Sequence, residues 1–474
     1  MMTRQSNVST RAAGAAWVLA GAVCLAWSVT AEAGEFKLPD YEKFTLDNGL
    51  TVYLMEQHEV PMIYVSVLTP GGAIHDGTLS GLAFLTAEGL LFGTRNYTKA
   101  QIEEEMDFLG ATLEARAGLE TAGIKASFAV KDQDQVFPIL KEVITAPTFD
   151  AQEFEKRKKR LLVELAQAKE SPKQVIRNYY YRFLFGSHPY GNPVQGTPQG
   201  VESVQVQDLE AFYAAAYQPA GSAIAVVGDF DTETMRQVVT DLLGDWKASA
   251  DPIKTPDLTR GIPRHRKSRV LLVDKDDALE TTFIIGARGI ARNNPDYIPL
   301  QVVNTILGGR FTSWLNSELR IKRGLTYGAY SGFVTNRVAG AFLVSSFTRT
   351  KTTYEAIDLA LEVLDRLHTQ GIDAETLESA KNYIKGQYPP RYETPGQLAG
   401  LLTSMFFYGY DESFINGFQE TVDGMTVEKA NAIIKKYFPK KGWQFVLIGK
   451  ASEIGSRAGK YGKVIRKTIT DEGY

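Results

Sequence analysis

The chain has almost no cysteine. Its 474 residues hold one, Cys24, and that one falls in the N-terminal apolar segment. Once that segment is removed no thiol remains, which excludes disulfides, thiol catalysis and cysteine zinc sites. Histidine is scarce too. His58, His75, His188, His265 and His368 are the whole set, and no two lie within five residues of each other. A local two-histidine metal motif is therefore missing. Neither sign of charge dominates: 52 Lys and Arg stand against 55 Asp and Glu, a net charge of −3. The basic footprint of a nucleic-acid binder is absent. Beyond the N-terminus no apolar run is long enough for a membrane span.

What remains is ordinary globular composition, 44% apolar and 23% charged, enough for two to four domains. Residues 1–33 read as a secretory signal. Arg4 and Arg11 give the basic start, residues 12–29 the apolar run, and Ala31-Glu32-Ala33 a small-x-small cleavage site. The mature N-terminus is expected near Gly34 and the protein in the periplasm. An uncleaved anchor is the alternative.

Phe44 to Leu54 reads as strand, Asn48-Gly49 turn, strand, a hairpin signal. A β-rich run follows at 60–68. Helical spacing predicts helices over 81–93, 99–109, 136–144, 150–169, 206–217 and 232–243. Strands are predicted within 111–130 and at 222–227. The run Lys156-Arg157-Lys158-Lys159-Arg160 reads as a solvated helix face, with Glu164 one turn after Arg160 in an i,i+4 pair. His188-Pro189-Tyr190-Gly191 opens a loop. Residues 249–269, with three prolines and many charges, read as a linker. Beyond it the pattern repeats: strands at 281–286 and 342–347, helices at 298–307 and 354–369, and Asp373-Ala374 opening a helix as Asp150-Ala151 did. Two α+β units, 34–248 and 270–474, indicate internal duplication.

The stretch Gly81-Leu82-Ala83-Phe84-Leu85-Thr86-Ala87-Glu88-Gly89-Leu90-Leu91-Phe92-Gly93-Thr94 resembles the first helix of the pitrilysin/insulinase zinc peptidases, the inverzincins, which reads G-L-A-H-F-L-E-H-M-L-F-x-G-T. Gly81, Leu82, Ala83, Leu90, Gly93 and Thr94 match. The zinc motif H-x-x-E-H is replaced by Phe84, Ala87 and Glu88. Two imidazoles one helical turn apart grip a single Zn²⁺, and neither is here. The family's distal glutamate ligand corresponds to Glu164. One ligand position of three keeps a ligating side chain, too few for a catalytic zinc. The His188 loop resembles the family's H-P-Y-G-x-P-x-x-G-T segment, where the histidine is structural.

Ser317-Glu318-Leu319-Arg320-Ile321-Lys322-Arg323-Gly324-Leu325-Thr326-Tyr327 resembles the family's L-R-x-x-x-x-L-x-Y pattern. Arg320 and Tyr327 match in type and spacing. A guanidinium and a phenol donate hydrogen bonds to the charge that develops on a carbonyl oxygen under attack. Read without the resemblance, the same cations complement a helix end. The resemblance implies two α/β-sandwich halves in a clamshell. It implies no metal in this chain, and zinc in a homologous H-x-x-E-H partner that completes a heterodimer. This chain would lend Arg320 and Tyr327 in trans to a peptide substrate. A structural or assembly protein of the same fold, or a stand-alone peptide-binding chamber, are the other expectations.

Overall fold

The computed structural model describes residues 36–474. The expected signal segment lies outside the described residues.

Two six-stranded sheets repeat one topology. The first is ordered β1 (Glu42–Thr45), β2 (Thr51–Glu56), β6 (Ala223–Gly228), β3 (Met62–Thr69), β5 (Ala122–Ala129), β4 (Thr112–Ala117). The second is ordered β12 (Lys463–Thr468), β7 (Arg269–Asp274), β11 (Gln444–Gly449), β8 (Glu280–Arg288), β10 (Ala341–Arg349), β9 (Ala329–Val334). Position by position the central pairings agree: β2 with β6 and β7 with β11 are parallel, and the remaining internal pairs are antiparallel. Only the first edge strand differs. β1 comes from the hairpin and runs antiparallel to β2, whereas β12 comes from the C-terminus and runs parallel to β7. The hairpin predicted from Asn48-Gly49 is present, with Phe44 opposite Val52 and Gly49 at φ +89°.

In the first half, α1 (Leu82–Gly89) and α2 (Lys99–Leu109) lie between β3 and β4. α3 (Gln133–Thr145), α4 (Ala151–Ala168), α5 (Pro172–Phe185), α6 (Pro198–Ser203) and α7 (Val206–Ala216) separate β5 from β6, and α8 (Thr232–Leu243) follows. The second half places α9 (Tyr297–Asn304) and the short α10 (Trp314–Asn316) between β8 and β9. It then places α11 (Thr353–Thr369), α12 (Ala374–Gly386) and α13 (Pro395–Tyr408) after β10. Between α8 and β7 the chain forms neither helix nor strand.

The halves exchange one helix each. α5, from the first half, packs on β11 and β8 of the second sheet; α13, its counterpart, packs on β6 and β3 of the first. Each sheet is therefore covered on both faces. That explains why the central strands Ala223–Gly228 and Gln444–Gly449 are buried at every position and are mostly continuous apolar runs rather than alternating ones. Tyr180 of α5 donates to the Phe342 carbonyl of β10 at 2.6 Å, in room left by Gly286. Across the other contact the Ser66 and Thr403 hydroxyls lie 3.2 Å apart. Neither exchanged helix was marked in the sequence reading.

Candidate functional site: a closed face and an open one

The first candidate face is α1. Gly81 caps it at φ +99°, a backbone region that suits glycine. The Asp76 carboxylate accepts from the Gly81 and Ala83 N–H groups at 2.8 and 2.9 Å, satisfying donors that a helix start leaves free. Asp76 is 3% exposed. Burial pushes its carboxyl up to about 7 against the pull of those two bonds. α1 ends at Gly89, short of the predicted Gly93. Gly89 sits where a Cβ would lie 2.8 Å from the Phe149 ring, and only turns follow up to Phe92.

Three of the four degenerate motif positions converge on one side chain. Arg157 of α4 donates to Glu88 from Nε at 2.7 Å and from Nη2 at 3.1 Å, and from Nη2 to Glu164 at 3.1 Å. Its guanidinium also lies 5.7 Å from the Phe84 ring centre, within range of a cation–π contact. Ala87, fully buried, takes no part. Burial raises the Glu88 pKa and the adjacent guanidinium pulls it back. Burial would lower the Arg157 pKa, but Glu88 and Glu164 together hold it above its ordinary value.

This corrects two expectations. Glu164 pairs with Arg157, seven residues back, rather than Arg160, because two full turns bring side chains onto one helix face. The basic run is also not wholly solvated. Arg157 points into the site, and the buried Lys158 donates to the Val204 carbonyl at 2.7 Å. Charge could not reveal this; the apolar side of α4 could, since Phe154, Leu161 and Leu165 flank both residues.

Zinc does not fit here. A catalytic zinc takes three protein ligands and an open position. This site offers two carboxylates, both engaged by a guanidinium whose charge would repel a second cation. Among the described residues no group of three or more His, Cys, Asp or Glu is placed to hold a metal ion.

The second face belongs to the other half. α9 runs into a π-helical turn, Thr305–Gly309; α10 runs into another, Ser317–Lys322. Arg320 sits in the latter. Gly324, at φ +60°, then reverses the chain into the loop carrying Tyr327. Tyr327 precedes β9 rather than lying in it. The loop is pinned to β10: Thr348 Oγ1 donates to the Leu325 carbonyl at 2.6 Å and Ser346 Oγ to the Gly328 carbonyl at 2.9 Å. Glu318 is held by Lys322 and Arg366 at 2.9 and 3.0 Å, so it does not neutralise Arg320. The Arg320 guanidinium lies 4.8 Å from the ring centres of both Phe311 and Tyr327. Those rings are 60% and 77% exposed, and neighbouring Ile321 is 58% exposed. The structure thus brings Arg320 and Tyr327 together, unpaired, with Arg320 half-buried between the rings and Tyr327 exposed.

His188 is structural. Its Nδ1 accepts from the Tyr190 N–H at 3.1 Å, so Nε2 is the protonated nitrogen, donating to the Leu258 carbonyl at 3.1 Å. Tyr190 in turn donates to Glu120 at 2.6 Å, and Glu120 accepts from the Arg337 N–H of the second half at 2.9 Å. The loop ties the halves and the intervening segment together.

Comparison with known proteins agrees with this architecture. A family model described as insulinase, peptidase family M16, matches residues 51–198, and one described as the peptidase M16 inactive domain matches residues 203–384. The chain belongs to the M16 peptidase family. Among M16 relatives it is 26% identical to an uncharacterised zinc protease of Mycobacterium leprae, over 86% of this chain and 92% of that protein. It is 23% identical to the non-peptidase homolog YmxG of Helicobacter pylori, over 83% and 90%. Among solved structures it resembles a peptidase M16 inactive domain from Pseudomonas fluorescens, with TM-score 0.80, 25% identity, and coverage of 87% of this chain and 98% of that one. The fold is also that of a Helicobacter pylori protease, with TM-score 0.79, 21% identity, and coverage of 87% and 100%.

Proposed function

We propose that this chain is the non-catalytic subunit of an exported zinc peptidase of the M16 family, pairing with a homologous H-x-x-E-H chain in the periplasm. The observation that carries the reading is the contrast between its two faces. The α1 site is closed by Arg157, while the half-buried Arg320 and the exposed Tyr327 have no acceptor among the described residues. The non-peptidase relative supports a non-catalytic chain; the inactive-domain match covers residues 203–384, the half that carries Arg320 and Tyr327.

In the pair, the partner supplies zinc and the general base. Arg320 and Tyr327 donate hydrogen bonds to the peptide carbonyl as negative charge builds on its oxygen. Aromatic flanks on Arg320 hold the guanidinium in place and limit its hydration, which strengthens those bonds. Ser346 and Thr348 fix the loop that presents Tyr327.

The test is peptide hydrolysis by the reconstituted pair with Arg320→Ala and, separately, Tyr327→Phe. Turnover should fall on the order of 10²–10³-fold for Arg320→Ala, the usual cost of an oxyanion donor, with pairing and zinc content unchanged. Unaltered turnover in both variants would instead favour a structural or assembly role for the fold.

A further inference from the structure

Arg292 lies in the loop after β8, anchored by its backbone N–H to the Asn336 carbonyl at 2.8 Å. Its guanidinium is surrounded by tyrosines: the ring centre of Tyr297 is 4.2 Å away, and those of Tyr408 and Tyr410, at the C-terminal end of α13, are 5.9 Å away. Among the described residues no carboxylate pairs with it; its polar partners are the hydroxyls of Tyr297 and Tyr410. Phenol hydroxyls leave its charge in place, and a planar guanidinium is built to take a carboxylate on two parallel N–H bonds.

The space in front of Arg292 is a cavity of ≈ 290 Å³, lined also by Gln397, Ser404 and Tyr408. It adjoins a second cavity of ≈ 430 Å³ through the shared wall residues Gly400 and Ser404 of α13. That second cavity runs beside β3, β4 and β5 and is edged by Lys125 and by Arg116, which pairs with Glu114 of the same wall at 3.2 Å. One end thus offers a charged fork and aromatic walls. The other offers length, with Lys125 in its wall.

The geometry points to a binding site for the C-terminal carboxylate of a peptide, which lies along α13 with its terminus on Arg292. Neither Arg320 nor Tyr327 lines this site, and all of its lining residues belong to this chain. It therefore stands or falls independently of the zinc-bearing partner.

The experiment uses the full chain without a partner and a fluorescein-labelled hexapeptide of alanine and leucine, in free-acid and C-terminally amidated forms. Fluorescence anisotropy should show the free acid binding about tenfold tighter, the scale of a lost charged hydrogen-bond pair. Arg292→Gln should erase that difference and Arg320→Ala should preserve it. Equal binding of acid and amide by the unaltered chain overturns the proposal without reliance on any variant. A preference that survives Arg292→Gln overturns it as well. Complete displacement of the peptide by millimolar acetate would show a site for small carboxylates and contradict the peptide assignment.

Discussion

The two halves share one sheet topology yet treat the segment that joins the fourth and sixth strands of each sheet in opposite ways. In the first half that segment is α1, and its functional positions are spent internally: Glu88 and Glu164 clamp Arg157, and Phe84 lies against it. In the second half the equivalent segment unwinds through two π-helical turns and leaves Arg320 between two exposed rings. Loss of metal ligands did not leave a hole in the first half. A guanidinium supplies the positive charge there, held by the glutamate that matches the distal ligand and by one standing where the second histidine would be. Charge balance in the interior was preserved while chemistry was lost. The second half shows the converse, a cation left without a carboxylate between two exposed rings, which fits an acceptor that arrives from outside.

Four experiments sharpen that contrast. The largest effect is expected from Arg157→Ala, which leaves two carboxylates facing each other. It should cost about 3 kcal/mol, the low end for breaking a buried pair because Glu164 is partly exposed. Chemical denaturation measures it, and Arg320→Ala in the same assay should change stability far less.

Next is the pH dependence set by Asp76 at the start of α1. Its folded-state pKa is about 7, raised from 3.8 by burial. The folded protein therefore holds a proton that the unfolded chain releases. Stability from this group is fully present below about pH 4 and declines as pH rises through about 7, with a slope of at most about 1.4 kcal/mol per pH unit. Asp76→Asn should flatten that slope, read as the difference between variant and parent denaturation curves across pH 4–8.

Tyr180→Phe removes the bond from α5 to the second sheet and should cost about 1 kcal/mol. Its effect should appear as a lower Tm of the whole chain, because the exchanged helices make the halves one cooperative unit. The smallest effect is none: a chelator such as EDTA should leave the Tm of the lone chain unchanged. A drop would mean that a metal stabilises the first half after all.

Much of this was legible in the sequence because it rests on local rules. Asn48-Gly49 fixed a hairpin, and Asp150 opened α4 as predicted, accepting from the Gln152 and Glu153 N–H groups; Arg320 and Tyr327 were singled out by the family resemblance, not by a local rule. The duplicated strand order followed from the repeated pattern. Arg157 was hidden because five consecutive cations look alike in one dimension, and only the burial of its helix face distinguishes it. The exchange of α5 and α13 was hidden for a different reason. An apolar helix face states that it will be covered, not which sheet will cover it. The first π-helical turn starts beside a tertiary bond, Asn304 Nδ2 to the Ser331 carbonyl at 3.0 Å, and the sequence pattern marks neither turn.

The division of labour between the faces is tested most directly by counting zinc and measuring peptide turnover in the same preparations: this chain alone, and this chain mixed with a homologous H-x-x-E-H chain. The account predicts neither zinc nor turnover from the chain alone, and one zinc per pair with turnover in the mixture that exceeds the partner's own. One equivalent of zinc on the lone chain, or a partner equally active without it, would contradict the account.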